Sequence, residues 1–166
     1  MQTKKSTPNE NASSKEIVMT RVIDAPRERV FEAMIDPKQV VKWWGPTGFT
    51  TTIHEMDVRP GGVWRQTMHG PDGVDYPNKS IFVEIVKAER ISYKHAGGEK
   101  ERGGGCFAAT WTFEKQGNPP TGEASKTKLT IRLVFPSSEA RDHIAQQYKA
   151  IEGGNQTLGR LADFLK

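Results

Sequence analysis

The sequence contains a single cysteine, Cys106, among its 166 residues. One cysteine cannot form an internal disulfide, and chains without disulfides are typical of reducing compartments, so we expect the protein in the cytoplasm. No apolar run approaches the ~20 residues that a membrane-spanning helix needs, so we expect no membrane partner. The opening residues, MQTKKSTPNENASSK, also lack the hydrophobic segment of a secretory signal.

Basic clusters and metal-binding patterns are missing as well. The 24 basic residues only slightly outnumber the 20 acidic ones, giving a net charge of +4, and they are dispersed. A nucleic-acid-binding protein shows a basic stripe or a stacking platform, so we expect no nucleic-acid partner. The four histidines do not stand at zinc-ligand spacing with one another or with Cys, Asp or Glu, so we predict no metal site and no cofactor.

Local catalytic motifs are also lacking. There is no Gly-x-Ser-x-Gly nucleophile elbow, and Cys106 has no neighbouring base in the sequence. The glycine-rich segment 97–105 lacks the Gly-Lys-Ser/Thr ending of a phosphate-binding loop. The sequence therefore gives no motif for an enzyme, although scattered pocket residues can catalyse without one.

What is present is the composition of one globular domain. Hydrophobic residues make up 35% of the chain and charged residues 27%. Residues 1–14 have no large apolar side chain after Met1 and are predicted to form a disordered tail. Residues 15–166 are long enough to bury a core without disulfides, and we predict that they form a single domain.

The order of elements is predicted from hydrophobic periodicity. A strand (EIVMTRVID) precedes two short helices (PRERVFEAMI and PKQVVKWW), and about six further strands follow. In the last two strands, apolar residues alternate with polar ones, which is typical of an antiparallel sheet covered on one side. The residues predicted on the covered face are Phe107, Ala109, Trp111, Phe113, Leu129, Ile131, Leu133 and Phe135.

A long C-terminal helix is predicted to cover that face. Its apolar residues recur mostly at steps of three and four, from Ala140 and Ile144 to Leu161 and Leu165. Gly153-Gly154 interrupts this stripe, so the helix either bends there or crosses the sheet where no side chain fits. The predicted fold class is α+β, with a curved antiparallel sheet of about six to seven strands wrapped around the C-terminal helix.

Several segments resemble one known family. RVIDAPRERVFEAMIDPKQVVKWWGPTGFT, DVRPGGVWRQTM, GPDGVDYP and QTLGRLADFL are similar to bacterial homologues of the activator of the ninety-kilodalton heat-shock protein ATPase. This family lies within the START-like (SRPBCC) superfamily of helix-grip proteins. The resemblance implies a deep hydrophobic cavity between sheet and C-terminal helix, which members use to carry lipids, polyketides or hormones or to catalyse reactions.

The sequence departs from the family at two points. The eukaryotic activator carries an additional N-terminal domain that takes part in gripping the chaperone, and we expect none in this chain. Family members often have a bulky Trp or Met four residues before Leu158, where this chain has Gly154. The absence of a bulky side chain there affects the predicted mouth or floor of the cavity.

The residues predicted to bind a ligand are mainly aromatic. On its strand, Gln66 shares one face with two apolar neighbours, so as an inward polar group it needs a backbone, water or ligand partner. Glu55 is the one carboxylate that strand parity turns inward, where burial would raise its pKa and suit it to act as an acid. The full predicted set is Trp43, Phe49, Glu55, Trp64, Gln66, Met68, Trp111, Tyr148 and Ile151.

The adjacent pair Trp43 and Trp44 cannot face one direction on a helix. Either the pair serves plain packing, with one ring buried under the sheet edge and the other at an opening, or it forms part of the wall of a ligand pocket. Steps of three and four from Val40 and Val41 favour Trp44 as the core residue, with Trp43 partly exposed near the cavity entrance.

These observations predict a small hydrophobic-ligand binding or carrier protein. Two alternatives remain open: a chaperone-interacting module with a role in the stress response, and a cofactor-independent enzyme in which Glu55 is the acid. The sequence leaves open whether the protein is a monomer or a homodimer, and it does not name the ligand.

Overall fold

The computed structural model describes residues 15–96, 106–116, 126–147 and 149–166. The predicted tail (residues 1–14), the glycine-rich segment 97–105, most of the connection between the last two strands and Tyr148 lie outside the described residues.

Seven antiparallel strands form one sheet in the order β1-β7-β6-β5-β4-β3-β2. Strand β4 contains Pro77 near its N-terminal end. The strands are β1 (Glu16–Ile23), β2 (Thr50–Met56), β3 (Val63–His69), β4 (Asp75–Val86), β5 (Arg90–His95), β6 (Phe107–Gln116) and β7 (Lys126–Val134).

One face of the sheet carries the core, as the alternation in β6 and β7 predicts. Trp111 and Ile131 lie opposite each other in the register of these strands, and both are buried. The adjacent residues Thr110 and Arg132 point to the opposite face and are partly exposed. The predicted covered face is therefore confirmed.

Two short helices, α1 (Arg27–Ile35) and α2 (Pro37–Trp43), connect β1 to β2. Asp36 caps α2 by accepting a hydrogen bond from the Lys38 amide at 3.0 Å. Pro37, with its fixed φ, takes the first helical position. The N-cap residue of α1 is Pro26, which provides no side-chain cap.

The C-terminal helical layer has two segments, α3 (Ser138–Gln147) and α4 (Ala150–Phe164), so the prediction of one continuous helix is wrong. The break lies at Lys149, whose backbone is left-handed with φ 51° and ψ 48°, and not at the glycines. Gly154 lies inside α4, where a Cβ atom would be 2.4 Å from the Met19 sulfur. Helix α4 therefore crosses β1 so closely that even a Cβ atom at position 154 would have to displace the flexible end of Met19, which agrees with the second of the two predicted explanations for Gly153-Gly154.

Candidate ligand-binding cavity

A cavity of about 260 Å³ lies between the sheet and α4. Strands β3 to β7 form one wall, the N-terminal half of α4 forms another, and the Trp44-Gly45-Pro46 segment after α2 closes one side. The lining is mainly apolar, and the described apolar residues that form it are Met19, Trp44, Gly45, Pro46, Trp64, Met68, Phe107, Trp111, Ile131, Leu133, Ala150, Gly153 and Gly154.

Three tryptophans form a connected aromatic surface in this lining. The Trp44 ring lies edge-on to the Trp64 ring, with 4.9 Å between the ring centroids, and stacks against the Trp111 ring, with 5.8 Å between the centroids. Tyr93 adds an edge-to-face contact with Trp64 at 5.4 Å. Such geometries stabilise aromatic pairs beyond the burial of their area, so the rings form a preorganised apolar wall.

Polar side chains lie together on three neighbouring strands of the same wall. Gln66 on β3 is the register partner of Asn78 on β4, and Ser80 on β4 is that of His95 on β5. The Ser80 hydroxyl lies 3.4 Å from His95 Nδ1, and Asn78 Nδ2 donates to the carbonyl oxygen of Tyr76 at 3.0 Å. The cavity therefore has a polar strip beside its aromatic surface.

Two buried polar atoms of this wall have no hydrogen-bond partner within the described residues. They are the Gln66 amide oxygen Oε1 and the Trp64 indole nitrogen Nε1. Both residues line the cavity from the same face of β3. A buried polar group without a hydrogen-bond partner destabilises the folded state by about 1–3 kcal/mol. A hydrogen bond to either of these two atoms would therefore be stabilising.

The ionisable groups inside the cavity are neutral near pH 7. Burial lowers the pKa of His95 to about 4, because the imidazolium loses its hydration. Burial also raises the pKa of the Tyr93 hydroxyl well above its ordinary value, while a hydrogen bond from Trp111 Nε1 at 3.2 Å opposes this shift. Lys149 is exposed and lies at the cavity mouth.

Arg160 holds the segment that closes the cavity. Its Nη1 donates toward the carbonyl oxygens of Gly45 and Pro46 at 3.0 Å each and of Phe49 at 3.1 Å, with that of Trp44 at 3.4 Å. The loop wraps around this guanidinium because Gly45 has a φ of +105°, which side chains other than glycine rarely adopt. Helix α4 thereby fixes the position of Trp44.

Of the residues predicted to bind a ligand, the structure brings Trp64, Gln66, Met68 and Trp111 together in the cavity wall. Phe49 is half-buried and does not line the cavity; its ring packs near that of Tyr76, with 5.9 Å between the ring centroids. Ile151 packs against the core beside the cavity rather than in it. Tyr148 lies outside the described residues.

The predicted roles of Trp43 and Trp44 are exchanged in the structure. Trp43 is fully buried, with its indole nitrogen donating to the Ala33 carbonyl oxygen at 3.1 Å, whereas Trp44 is partly exposed and lines the cavity. Of the two valines, only Val40 is buried, and Trp43 is three residues after it. Trp44 follows the last helical residue with φ −67° and ψ 136°, so helical spacing does not apply to it.

Glu55 is exposed, so its predicted role as a buried acid is wrong. A β-bulge between Ile53 and Glu55 shifts the register, which places Glu55 opposite Arg65 on the outer face. The Arg65 Nε lies 3.4 Å from the carboxylate, and both side chains are about half exposed.

Eight cavity residues with polar or aromatic side chains were missing from the predicted set: Trp44, Asn78, Ser80, Tyr93, His95, Phe107, Lys149 and Thr157. The signal for the strand residues was available, since Ser80 alternates with buried Phe82, and Tyr93 and His95 alternate with Ile91. Trp44 had no such signal because it lies in a loop.

The described part of the chain contains no group of three or more His, Cys, Asp or Glu side chains that could hold a metal ion. None of its helices combines the length and apolar character needed to cross a membrane.

The sheet that holds a C-terminal helix against one face, with a cavity between them, makes this a helix-grip protein. Residues 24–166 match the family model described as Activator of Hsp90 ATPase homolog 1-like protein. The chain belongs to this family, and the resemblance seen in the sequence is confirmed.

Solved structures support the fold. A protein of Arthrobacter aurescens matches with a TM-score of 0.80 and 23% identity, covering 92% of this chain and 86% of the other. A protein of Mycobacterium smegmatis matches with a TM-score of 0.79 and 23% identity over 92% and 91% of the two chains. A protein of Nitrosomonas europaea matches with a TM-score of 0.75 and 20% identity, covering 92% of this chain and 95% of the other. No curated protein matches this chain.

Truncation of the two adjacent tryptophans should separate their roles. We expect Trp43→Ala to lower the free energy of unfolding by about 3–5 kcal/mol, because it leaves a large hole in a closed core. Trp44→Ala should cost no more than about half of that, because its ring already borders a cavity. Urea unfolding measures both, with Lys42→Ala as the exposed control on α2. A larger loss for Trp44→Ala would contradict this assignment.

The buried His95 should make stability depend on pH. The unfolded chain takes up a proton at the ordinary histidine pKa of about 6.5, whereas the folded chain does so only near pH 4. Between these values the unfolded state binds more protons, so stability falls as pH falls through this window. This group alone should make the protein about 2 kcal/mol less stable at pH 5 than at pH 7.

Urea unfolding of the wild type and of His95→Gln at both pH values measures this contribution as the difference between the two proteins. His54→Gln is the control, because His54 is exposed. If His95→Gln and the wild type lose equal stability between pH 7 and pH 5, His95 is not buried in its neutral form.

Proposed function

We propose that the protein binds a small, mainly apolar aromatic molecule in the cavity between the sheet and α4. The observation that carries this proposal is a cavity of about 260 Å³ whose wall includes three tryptophan rings. Packing alone does not account for it, because protein interiors close gaps of this size to native density. A cavity that persists beside large aromatic side chains is typical of a binding site.

The volume sets the size of the ligand. Drug-sized ligands occupy sites of ~300–1,000 Å³, and an engineered cavity of ~150 Å³ binds benzene. The cavity of about 260 Å³ lies between these values and suits two fused rings better than one. A four-ring molecule would need the Trp44-Gly45-Pro46 segment to move, which the hydrogen bonds of Arg160 oppose.

The family description suggests a competing function for this chain, the activation of a chaperone ATPase. That function depends on an outer docking surface instead of the cavity. An ATPase assay of a bacterial Hsp90 with added protein separates the two proposals. We expect no stimulation, and dose-dependent stimulation that survives filling of the cavity would favour the chaperone proposal.

The enzyme alternative has less support. Its predicted acid, Glu55, faces solvent. Within the cavity lining, Ser80 and His95 form the pair that combines a hydroxyl with an imidazole, but the lowered pKa of His95 makes it a weak base. We therefore propose binding without turnover.

Calorimetric titration with benzene, naphthalene and pyrene tests the binding proposal. We expect saturable one-to-one binding that is tightest for naphthalene, with a negative heat-capacity change from the burial of apolar surface. A side chain that fills the cavity should prevent binding, so Gly154→Leu should weaken naphthalene binding by at least about tenfold. The neighbour that must yield is the flexible end of Met19, so we expect the variant to fold.

The matched control is Gly159→Leu, which makes the same change on α4 outside the cavity, where the nearest atom lies 4.0 Å from the new Cβ. Ala150→Leu is a second cavity-filling variant. If none of the three hydrocarbons binds, or if Gly154→Leu and Ala150→Leu bind naphthalene like the wild type, the cavity is not the binding site.

A further inference from the structure

The two unpartnered polar atoms of the cavity wall have opposite hydrogen-bonding character. Gln66 Oε1 is an acceptor and Trp64 Nε1–H is a donor, and neither has a partner among the residues that the structure describes. Trp64 and Gln66 are 1% and 5% exposed, so bulk water reaches neither side chain freely. Because buried polar groups in native proteins are almost always hydrogen-bonded, these atoms indicate what the bound molecule contributes.

The neighbouring polar groups do not satisfy Gln66. Its register partner Asn78 directs its amide nitrogen to the Tyr76 carbonyl, and the Ser80 hydroxyl faces His95 Nδ1. Tyr93 accepts from Trp111 Nε1. None of these groups donates to the Gln66 oxygen, which leaves it for a donor from outside the protein.

The cavity interior also excludes a charged group. Among the described lining residues, the ionisable side chains are Tyr93, His95 and Lys149. The first two are buried and neutral near pH 7, and the third lies exposed at the mouth. A carboxylate or ammonium group inside would lose its hydration without gaining a counter-charge.

We infer that the ligand is an uncharged aromatic alcohol of about two fused rings, whose hydroxyl donates a hydrogen bond to Gln66 Oε1. A hydroxyl is the smallest group that can donate to this oxygen and also accept from an N–H group such as that of Trp64. The fused rings contact the surface formed by Trp44, Trp64 and Trp111. This inference rests on the proposed function and adds the polar chemistry of the ligand to it.

Three probes of matched ring system test the inference by calorimetric titration at pH 7: 2-naphthol, 2-methylnaphthalene and 2-naphthoate. A methyl group is more hydrophobic than a hydroxyl of similar size, so a purely apolar cavity prefers 2-methylnaphthalene. We expect the reverse order, with 2-naphthol bound about tenfold more tightly than 2-methylnaphthalene and 2-naphthoate bound most weakly.

The variant Gln66→Met removes the acceptor at nearly constant size. It should weaken 2-naphthol binding by about tenfold and leave 2-methylnaphthalene within about twofold of the wild type. Gln39→Met is the matched control, since Gln39 Oε1 is also buried without a partner among the described residues but lies on α2, outside the cavity lining. This control should bind both probes like the wild type.

The outcomes separate this inference from the proposed function. If neither neutral probe binds, the proposed function fails. If both bind, but 2-methylnaphthalene is equal or tighter in the wild type, or Gln66→Met leaves the ratio unchanged, the hydroxyl assignment is overturned while the cavity remains a binding site. The wild-type ratio alone decides the matter if Gln66→Met does not fold.

Discussion

The contact between Arg160 and the loop at residues 44–49 holds the structure of the cavity together. One guanidinium nitrogen on α4 lies within 3.4 Å of four backbone carbonyl oxygens of that loop. Two more hydrogen bonds fix the same segment, from the Thr47 amide to the Gln156 side chain and from the Thr51 hydroxyl to the Trp44 carbonyl. Because carbonyls turned inward need donors, the loop keeps this shape only while α4 is docked. The docked loop in turn places the Trp44 ring against Trp64 and Trp111.

The same arrangement explains how a cavity and a stable core coexist in one domain. Trp43, fully buried and hydrogen-bonded to Ala33, belongs to the core, while Trp44, the next residue, belongs to the cavity. On the other side, Gly154 keeps α4 close to β1 without filling the space that a larger side chain would take. The polar strip around Gln66 and His95 makes one side of the otherwise apolar cavity polar. The proposed ligand would therefore place its rings against the tryptophans and its neutral polar group against this strip.

The sequence alone predicted the positions that follow the regular spacing of a strand or helix. It did not predict the positions where a bulge or a helix end interrupts that spacing. The alternation of Trp64, Gln66 and Met68 was sufficient to place them together, because a strand has a period of two. The bulge before Glu55 reversed that period, and the helix end at Trp43 removed the helical spacing from Trp44. The partners of Arg160 are backbone carbonyls more than a hundred residues earlier, and backbone carbonyls are common to every residue, so no sequence pattern marks them.

The four tryptophans of the chain offer the most direct measurement of whether the cavity is a binding site. In a two-dimensional NMR spectrum of isotope-labelled protein, each indole N–H gives one signal, which Trp→Phe variants assign. Titration with naphthalene should shift the signals of Trp44, Trp64 and Trp111, whose rings line the cavity, and shift that of Trp43 least, because its N–H is bound to the Ala33 carbonyl behind them. Unchanged indole signals at saturating naphthalene, or a largest shift at Trp43, would contradict a ligand site in this cavity.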